Sequence, residues 1–242
     1  MTINLVDIDK IFMISVSEKR QKKMKDTYPQ LVENNLFEWY LPQKDKENPE
    51  RGCYNSHRNV INIAKQRNYK TIIVFEDDLK LLESYESFVT SVNNLERPPN
   101  YKYILLGAIS VDTEPSPYKN LKRVNCCLST VGYMVSVDKV NIPQFYGHNI
   151  DEVMFCSGYS FSEIVLVNKI TNTNIYISNP LLVAPNGDDT TMDGYLFHNM
   201  SSLEYITNNN RLLLSSYVNV MQLDYAVGVF ILSLILFYFL RV

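Results

Sequence analysis

Thr71–Phe75 (TIIVF) is an unbroken run of β-branched and aromatic residues that stops at three successive acids, Glu76, Asp77 and Asp78. Continuous apolarity, unlike alternation, marks a strand covered on both faces, and such strands belong to parallel sheets enclosed by helices. A chain with this strand must therefore supply helices on either side of it. The surrounding pattern does so. Lys10–Val16 reads as an opening strand, the charged stretch Glu18–Lys25 as a helix and Phe37–Leu41 as a short second strand. The polar stretch Pro42–Arg51 reads as a loop ending at Gly52. Val60, Ile61 and Ala64 then recur at helical spacing within Tyr54–Arg67, and His57 falls on roughly the same face, pointing inward or toward the sheet edge.

Beyond the acids, the spacing predicts a helix over Tyr85–Leu95, closed by Pro98-Pro99, and a central strand over Tyr103–Leu106. Ser110–Lys119 reads as loop, Thr130–Val137 as a strand, Asn174–Val183 as β-prone and Asn186–Gly194 as a polar acidic loop. This alternation implies an α/β fold with a mostly parallel central sheet and helices on both faces.

With 242 residues, the chain can bury a full core. Its 23 basic and 26 acidic residues are mixed along the chain, which leaves no basic field for a nucleic-acid backbone. Cys53, Cys126, Cys127 and Cys156 show no CxxC pair and no histidine at ligand spacing, so reduced thiols and a cytosolic domain are expected. The first ten residues carry Asp7 and Asp9 in place of a basic region and an apolar run, so no secretory leader is expected.

Tyr225–Leu240 (YAVGVFILSLILFYFL) holds no charge and lies between Asp224 and Arg241. It falls slightly short of the roughly 20 residues that span a bilayer comfortably, and a buried C-terminal helix is the alternative. Three regions result: a catalytic domain over 1–200, a linker or helical segment over 201–224, and a transmembrane tail helix over 225–241. The tail would anchor the catalytic domain to a membrane from the cytosolic side.

In open α/β sheets, ligands bind beyond the carboxyl ends of the strands, where the acidic triplet lies. In extended backbone, Glu76 and Asp78 face one side and converge on a divalent cation, or on a cation and a ribose hydroxyl, while Asp77 faces away and orients its neighbours. Oxygen ligands alone favour Mg2+ or Mn2+ over zinc. The plainer alternative is a solvated acidic turn.

Three segments in order, Ile11–Met24, Gly52-Cys53-Tyr54-Asn55-Ser56-His57 and Ile72–Leu79 (IIVFEDDL), resemble glycosyltransferase family 25, which includes lipopolysaccharide and procollagen galactosyltransferases. The resemblance implies a GT-A type nucleotide-diphospho-sugar transferase fold, Mn2+ or Mg2+ held by Glu76 and Asp78, and inversion at the transferred sugar. It also implies a UDP-hexose donor, galactose or glucose, and a hydroxyl acceptor on a glycan, a lipid-linked sugar or a protein. Ser56, His57, Glu76 and Asp77 would meet the donor. As plainer readings, His57 is a satisfied structural residue and Ser56 a helix-start hydroxyl.

Inversion needs a base on the acceptor side. Asp151 is the first candidate, because the family also places an acid after its sheet strands; Asp188 follows, with Asp189 beside it. Asp151 otherwise reads as a helix-capping carboxylate. Arg20 stands where the family often has a basic residue that could contact phosphate, although a solvated helix charge is the simpler reading. Ile14-Ser15-Val16 replaces the usual Ile-Asn-Leu, and Pro185 stands near an expected glutamine, so donor or acceptor choice has room to differ. The contrasting reading is a catalytically silent, membrane-anchored binding protein. A phosphoryl-transfer or hydrolytic enzyme would call for a glycine-rich phosphate loop or a histidine cluster, and the sequence offers neither.

Overall fold

The computed structural model describes residues 4–145, 154 and 174–186; for strand residues 108–112 and 125–130 it describes the backbone alone. Strand β1 (Lys10–Ile14) is buried at every position after Lys10. Ser17 then caps α1 (Glu18–Thr27), its side chain accepting from the Arg20 amide, which satisfies one of the amides left over at a helix start. A single turn, α2 (Pro29–Val32), leads to β2 (Phe37–Tyr40).

Helix α3 (Pro49–Gln66) starts earlier than the sequence pattern suggests. Asn48 caps it by accepting the Arg51 amide at 2.9 Å, and Pro49 suits the first helical turn, where its missing N–H costs nothing. Asp45 completes the entry, accepting from the amides of Glu47 and Asn48 and clamping the Arg51 guanidinium at 2.6 Å. Polar residues that read as loop are thus the capping apparatus of a helix. Asn68, in the left-handed region at φ 57°, follows the helix end.

Next come β3 (Thr71–Glu76), the short β4 (Leu79–Leu81) and α4 (Tyr85–Asn93), which is capped by Ser84. The following hairpin corrects the sequence reading. Strand β5 (Tyr103–Pro115) continues through the expected loop, and β6 (Leu121–Ser136) begins well before Thr130. The turn between them is confined to residues 116–120, with Asn120 at φ 61°. Pairing between the two strands satisfies the backbone whatever the side chains are, so polarity alone did not reveal the extension. Strands β7 (Ile175–Ser178) and β8 (Val183–Pro185) complete the described set.

The six-stranded sheet runs β2-β1-β3-β6-β5-β7. Pairs β1–β2, β1–β3 and β5–β7 are parallel, and β6 runs antiparallel to β3, β5 and β7. The sheet is therefore mostly parallel, as expected. Strand alternation divides the core into two layers. Phe12, Ile72, Val74 and Tyr133 meet Val60, Ile61 and Ala64 of α3, whereas Ile11, Met13, Ile73 and Phe75 meet residues of α1, α2 and α4. Ile72–Phe75 are fully buried, and each is worth ~1.5–3 kcal/mol of apolar transfer.

A two-stranded sheet, β4-β8, lies at the end of β3. Its approach requires two glycines. A Cβ on Gly107 would stand 2.2 Å from the Val183 carbonyl oxygen, and one on Gly132 would stand 2.8 Å from Val183 Cγ2. Val183 thus crosses β5 and β6 where the paired Gly107 and Gly132 leave room. Among the described residues, no helix is long and apolar enough to cross a membrane. The expected linker over 201–224 and tail over 225–241 lie outside the described residues, as does the boundary at 200.

Candidate active site

The site gathers where β1 and β3 end together. Their parallel register pairs Ile14 with Glu76, which brings the next residues, Ser15 and Asp77, side by side. Ser15 is buried, and its hydroxyl donates to Asp77 Oδ2 at 2.6 Å. Arg20, on the first turns of α1, donates from Nη1 to Asp77 Oδ1 at 3.0 Å. The Arg20 side chain is only 13% exposed, so it is an inward ion-pair partner and corrects the reading of a solvated helix charge. Nη2 of the same guanidinium is sealed from solvent and makes no hydrogen bond.

Asp77 thus organises the β1–α1 junction as an orienting residue. Ser15 is the functional neighbour that sequence reasoning passed over; its only signal was the departure from Ile-Asn-Leu. Both sites of the Asp77 carboxylate are taken by charge-assisted partners, which explains how a carboxylate can be buried at this position.

Glu76 continues the parity of Ile72 and Val74, so it faces the α3 layer. There His57, fully buried, shares its Nδ1 with the Tyr133 hydroxyl at 3.0 Å. His57 Nε2 lies 3.2 Å from Glu76 Oε1, but makes no hydrogen bond with it. Cys53, one helical turn before His57, brings its sulfur into the same group: the ligand atoms of Cys53, His57 and Glu76 lie within 4.8 Å of one another. This corrects the reading that no cysteine has a histidine at ligand spacing. Positions 53 and 57 are four apart, and the helix turns that separation into adjacency. Ser56 is buried within the helix, its hydroxyl donating to the Gly52 carbonyl at 2.7 Å.

Asp78 follows the end of β3, so the parity argument that placed it beside Glu76 stops one residue earlier. Asp77 and Asp78 form the turn into β4, and the Asn186 amide donates to the Asp78 carbonyl at 2.6 Å. Asp78 Oδ1 is sealed from solvent without a hydrogen-bond partner. Burial, followed by the nearby Glu76 charge, pushes the Asp78 carboxyl up to about 7, against a smaller opposing pull from Arg20. A buried carboxyl poised this way is costly to ionise unless a cation joins it. Asp151, Asp188 and Asp189 lie outside the described residues.

Residues 7–166 match the family model described as glycosyltransferase family 25 (LPS biosynthesis protein). No curated protein sequence matches the chain. Among solved structures, the chain is similar to A197 from STIV, at 11% identity and TM-score 0.41, covering 77% of this chain and 97% of that one. It is similar also to a glycosyltransferase involved in glycosylation of the major capsid of PBCV-1, at 9% identity and TM-score 0.43, covering 73% and 92%. An active-site mutant of LgtC follows at 8% identity and TM-score 0.33, covering 81% and 95%. The family match covers β1 through β6 and includes Ser15, Arg20, Cys53, His57 and the acidic triplet; on that ground, the chain belongs to glycosyltransferase family 25.

Proposed function

We propose that the chain is a metal-dependent, inverting hexosyltransferase that moves galactose or glucose from a UDP-sugar to a hydroxyl of a glycan, a lipid-linked sugar or a protein. The observation that carries this reading is a carboxyl oxygen and a guanidinium nitrogen without hydrogen-bond partners, Asp78 Oδ1 in the turn after β3 and Arg20 Nη2 on α1. A cation and a diphosphate are the complementary pair. Asp78 and Glu76 would hold Mn2+ or Mg2+, hard cations that take carboxylate oxygens. When bound, such a cation neutralises charge developing on the UDP leaving group.

Arg20, steadied by Asp77, supplies the positive charge that the diphosphate meets. Ser15 and Asp77 keep the guanidinium aimed. Ser56 and His57, buried in α3, support the donor site from behind. On the opposite face of the sugar, Asp151 or Asp188 takes the acceptor hydroxyl proton as its oxygen bonds to the anomeric carbon and the bond to UDP breaks. The anomeric configuration inverts. Residues 225–241 anchor the enzyme to a membrane, with the catalytic domain on the cytosolic side.

Release of UDP from a panel of nucleotide sugars tests the reading, using the full chain with and without Mn2+ beside Asp78→Asn. Mn2+-dependent release from one donor, reduced roughly 100-fold or more by Asp78→Asn, is the expected result. Mn2+-dependent donor binding without release, even with acceptors present, would favour the catalytically silent sugar-nucleotide binder. Neither binding nor release would overturn both.

A further inference from the structure

Cys53 and His57 stand one turn apart on α3, and β3 delivers Glu76 to the same point. We propose that Cys53, His57 and Glu76 form a binding site for a thiophilic divalent cation of the zinc class, chemically distinct from the oxygen-ligand site assigned to Asp78.

Three observations support it. The first is the donor set. One sulfur, one imidazole nitrogen and one carboxylate oxygen within 4.8 Å of one another are the ligand types zinc takes, and three protein ligands leave a fourth position for water or a substrate atom. A thiolate selects zinc-like cations over Mn2+ or Mg2+.

The second is the state of His57. The residue is fully buried and Nε2 has no hydrogen-bond partner, although it points into the cluster. Its 3.2 Å separation from Glu76 Oε1 is close to the edge of a tetrahedral site. With metal–nitrogen and metal–oxygen bonds near 2.0–2.2 Å, two such ligand atoms stand roughly 3.3–3.6 Å apart. A cation between the two atoms accounts for a close approach that is not a hydrogen bond.

The third is the support behind the ligand. His57 Nδ1 meets the Tyr133 hydroxyl at 3.0 Å. With Nδ1 donating its proton there, Nε2 presents its lone pair to the cluster, which is the usual arrangement of a metal-bound histidine. Binding releases the Cys53 thiol proton to solvent, and sulfur, nitrogen and oxygen each supply an electron pair. Glu76 belongs to both clusters, so a zinc-class cation would hold its carboxylate on the α3 side.

Co2+ reports the geometry. The full chain, stripped of divalent cations, should develop a thiolate-to-cobalt charge-transfer absorption that saturates at one thiolate-bound cation per chain and is displaced by Zn2+. Cys53→Ser should abolish the band and weaken Zn2+ binding at least about 100-fold, and Tyr133→Phe should keep the band while weakening binding about 10-fold. Asp78→Asn should keep it unchanged. In the unsubstituted chain, Zn2+ should also slow alkylation of Cys53, read by peptide mass. Absence of the band, its survival in Cys53→Ser, or Cys53 alkylation at equal rates with and without Zn2+ would each overturn the proposal.

Discussion

Asp78 carries the largest electrostatic burden of the site. Its folded carboxyl is raised from an ordinary 3.8 to about 7, chiefly by burial and then by Glu76. The fold therefore holds a proton that the unfolded chain has already released, so stability of the metal-free protein falls as pH rises from about 4 to about 7. Asp78→Asn removes that charge. The variant should match the unsubstituted protein near pH 4 and exceed it by roughly 2–4 kcal/mol at pH 8 in metal-free buffer, measured by urea unfolding. A variant no more stable at pH 8 would mean that Asp78 ionises there without strain. Ser15 makes the opposite case. Its hydroxyl donates at 2.6 Å to the buried Asp77 carboxylate, so Ser15→Ala should cost about 1.5–3 kcal/mol and weaken donor binding by loosening Arg20. Unchanged stability would show that Arg20 alone satisfies Asp77.

At the level of elements, the site depends on β3 ending between two differently capped neighbours. The α1 side receives Asp77 and the α3 side receives Glu76, because consecutive residues of a strand face opposite layers. The β4-β8 sheet then holds Asp78 through its backbone, and that sheet depends on Val183 crossing at Gly107. Gly107→Ala would push a methyl group into a carbonyl oxygen held by a strand. Destabilisation of about 3 kcal/mol or more is expected in urea unfolding, with loss of Mn2+ affinity as β8 is displaced. Near-neutral stability would mean that β8 can retreat without cost. The ladder that makes β5 and β6 so long was hidden for a related reason: partner strands supply its hydrogen bonds, and no local periodicity records them.

At the scale of the whole molecule, an apolar segment without charge over 225–240 stands apart from the family match, which ends at residue 166. As a membrane anchor it should make the full chain sediment with liposomes, and a chain ending at Asp224 should remain in the supernatant. Equal partitioning of the two would remove the anchor from the proposal. The acidic net charge of -3 gives no electrostatic reason for binding to anionic liposomes.

Thr71–Phe75 alone required a strand covered on both faces, although β3 proved parallel to β1 and antiparallel to β6, and its abrupt end at three acids put the candidate site at the sheet's carboxyl edge. Those conclusions rest on local chemistry, since apolar runs, caps and turn residues act through the nearest few positions. The Gly-Cys-x-x-Ser-His and Glu-Asp-Asp elements made the family legible on the same terms. Only the tertiary structure separated the three acids into different roles. Register between β1 and β3 gave Asp77 to Ser15 and Arg20, strand parity gave Glu76 to His57 and Cys53, and a turn took Asp78 out of the strand. Burial and partner choice arise between segments distant in the chain, 57 residues apart for Arg20 and Asp77, so no local pattern could carry them.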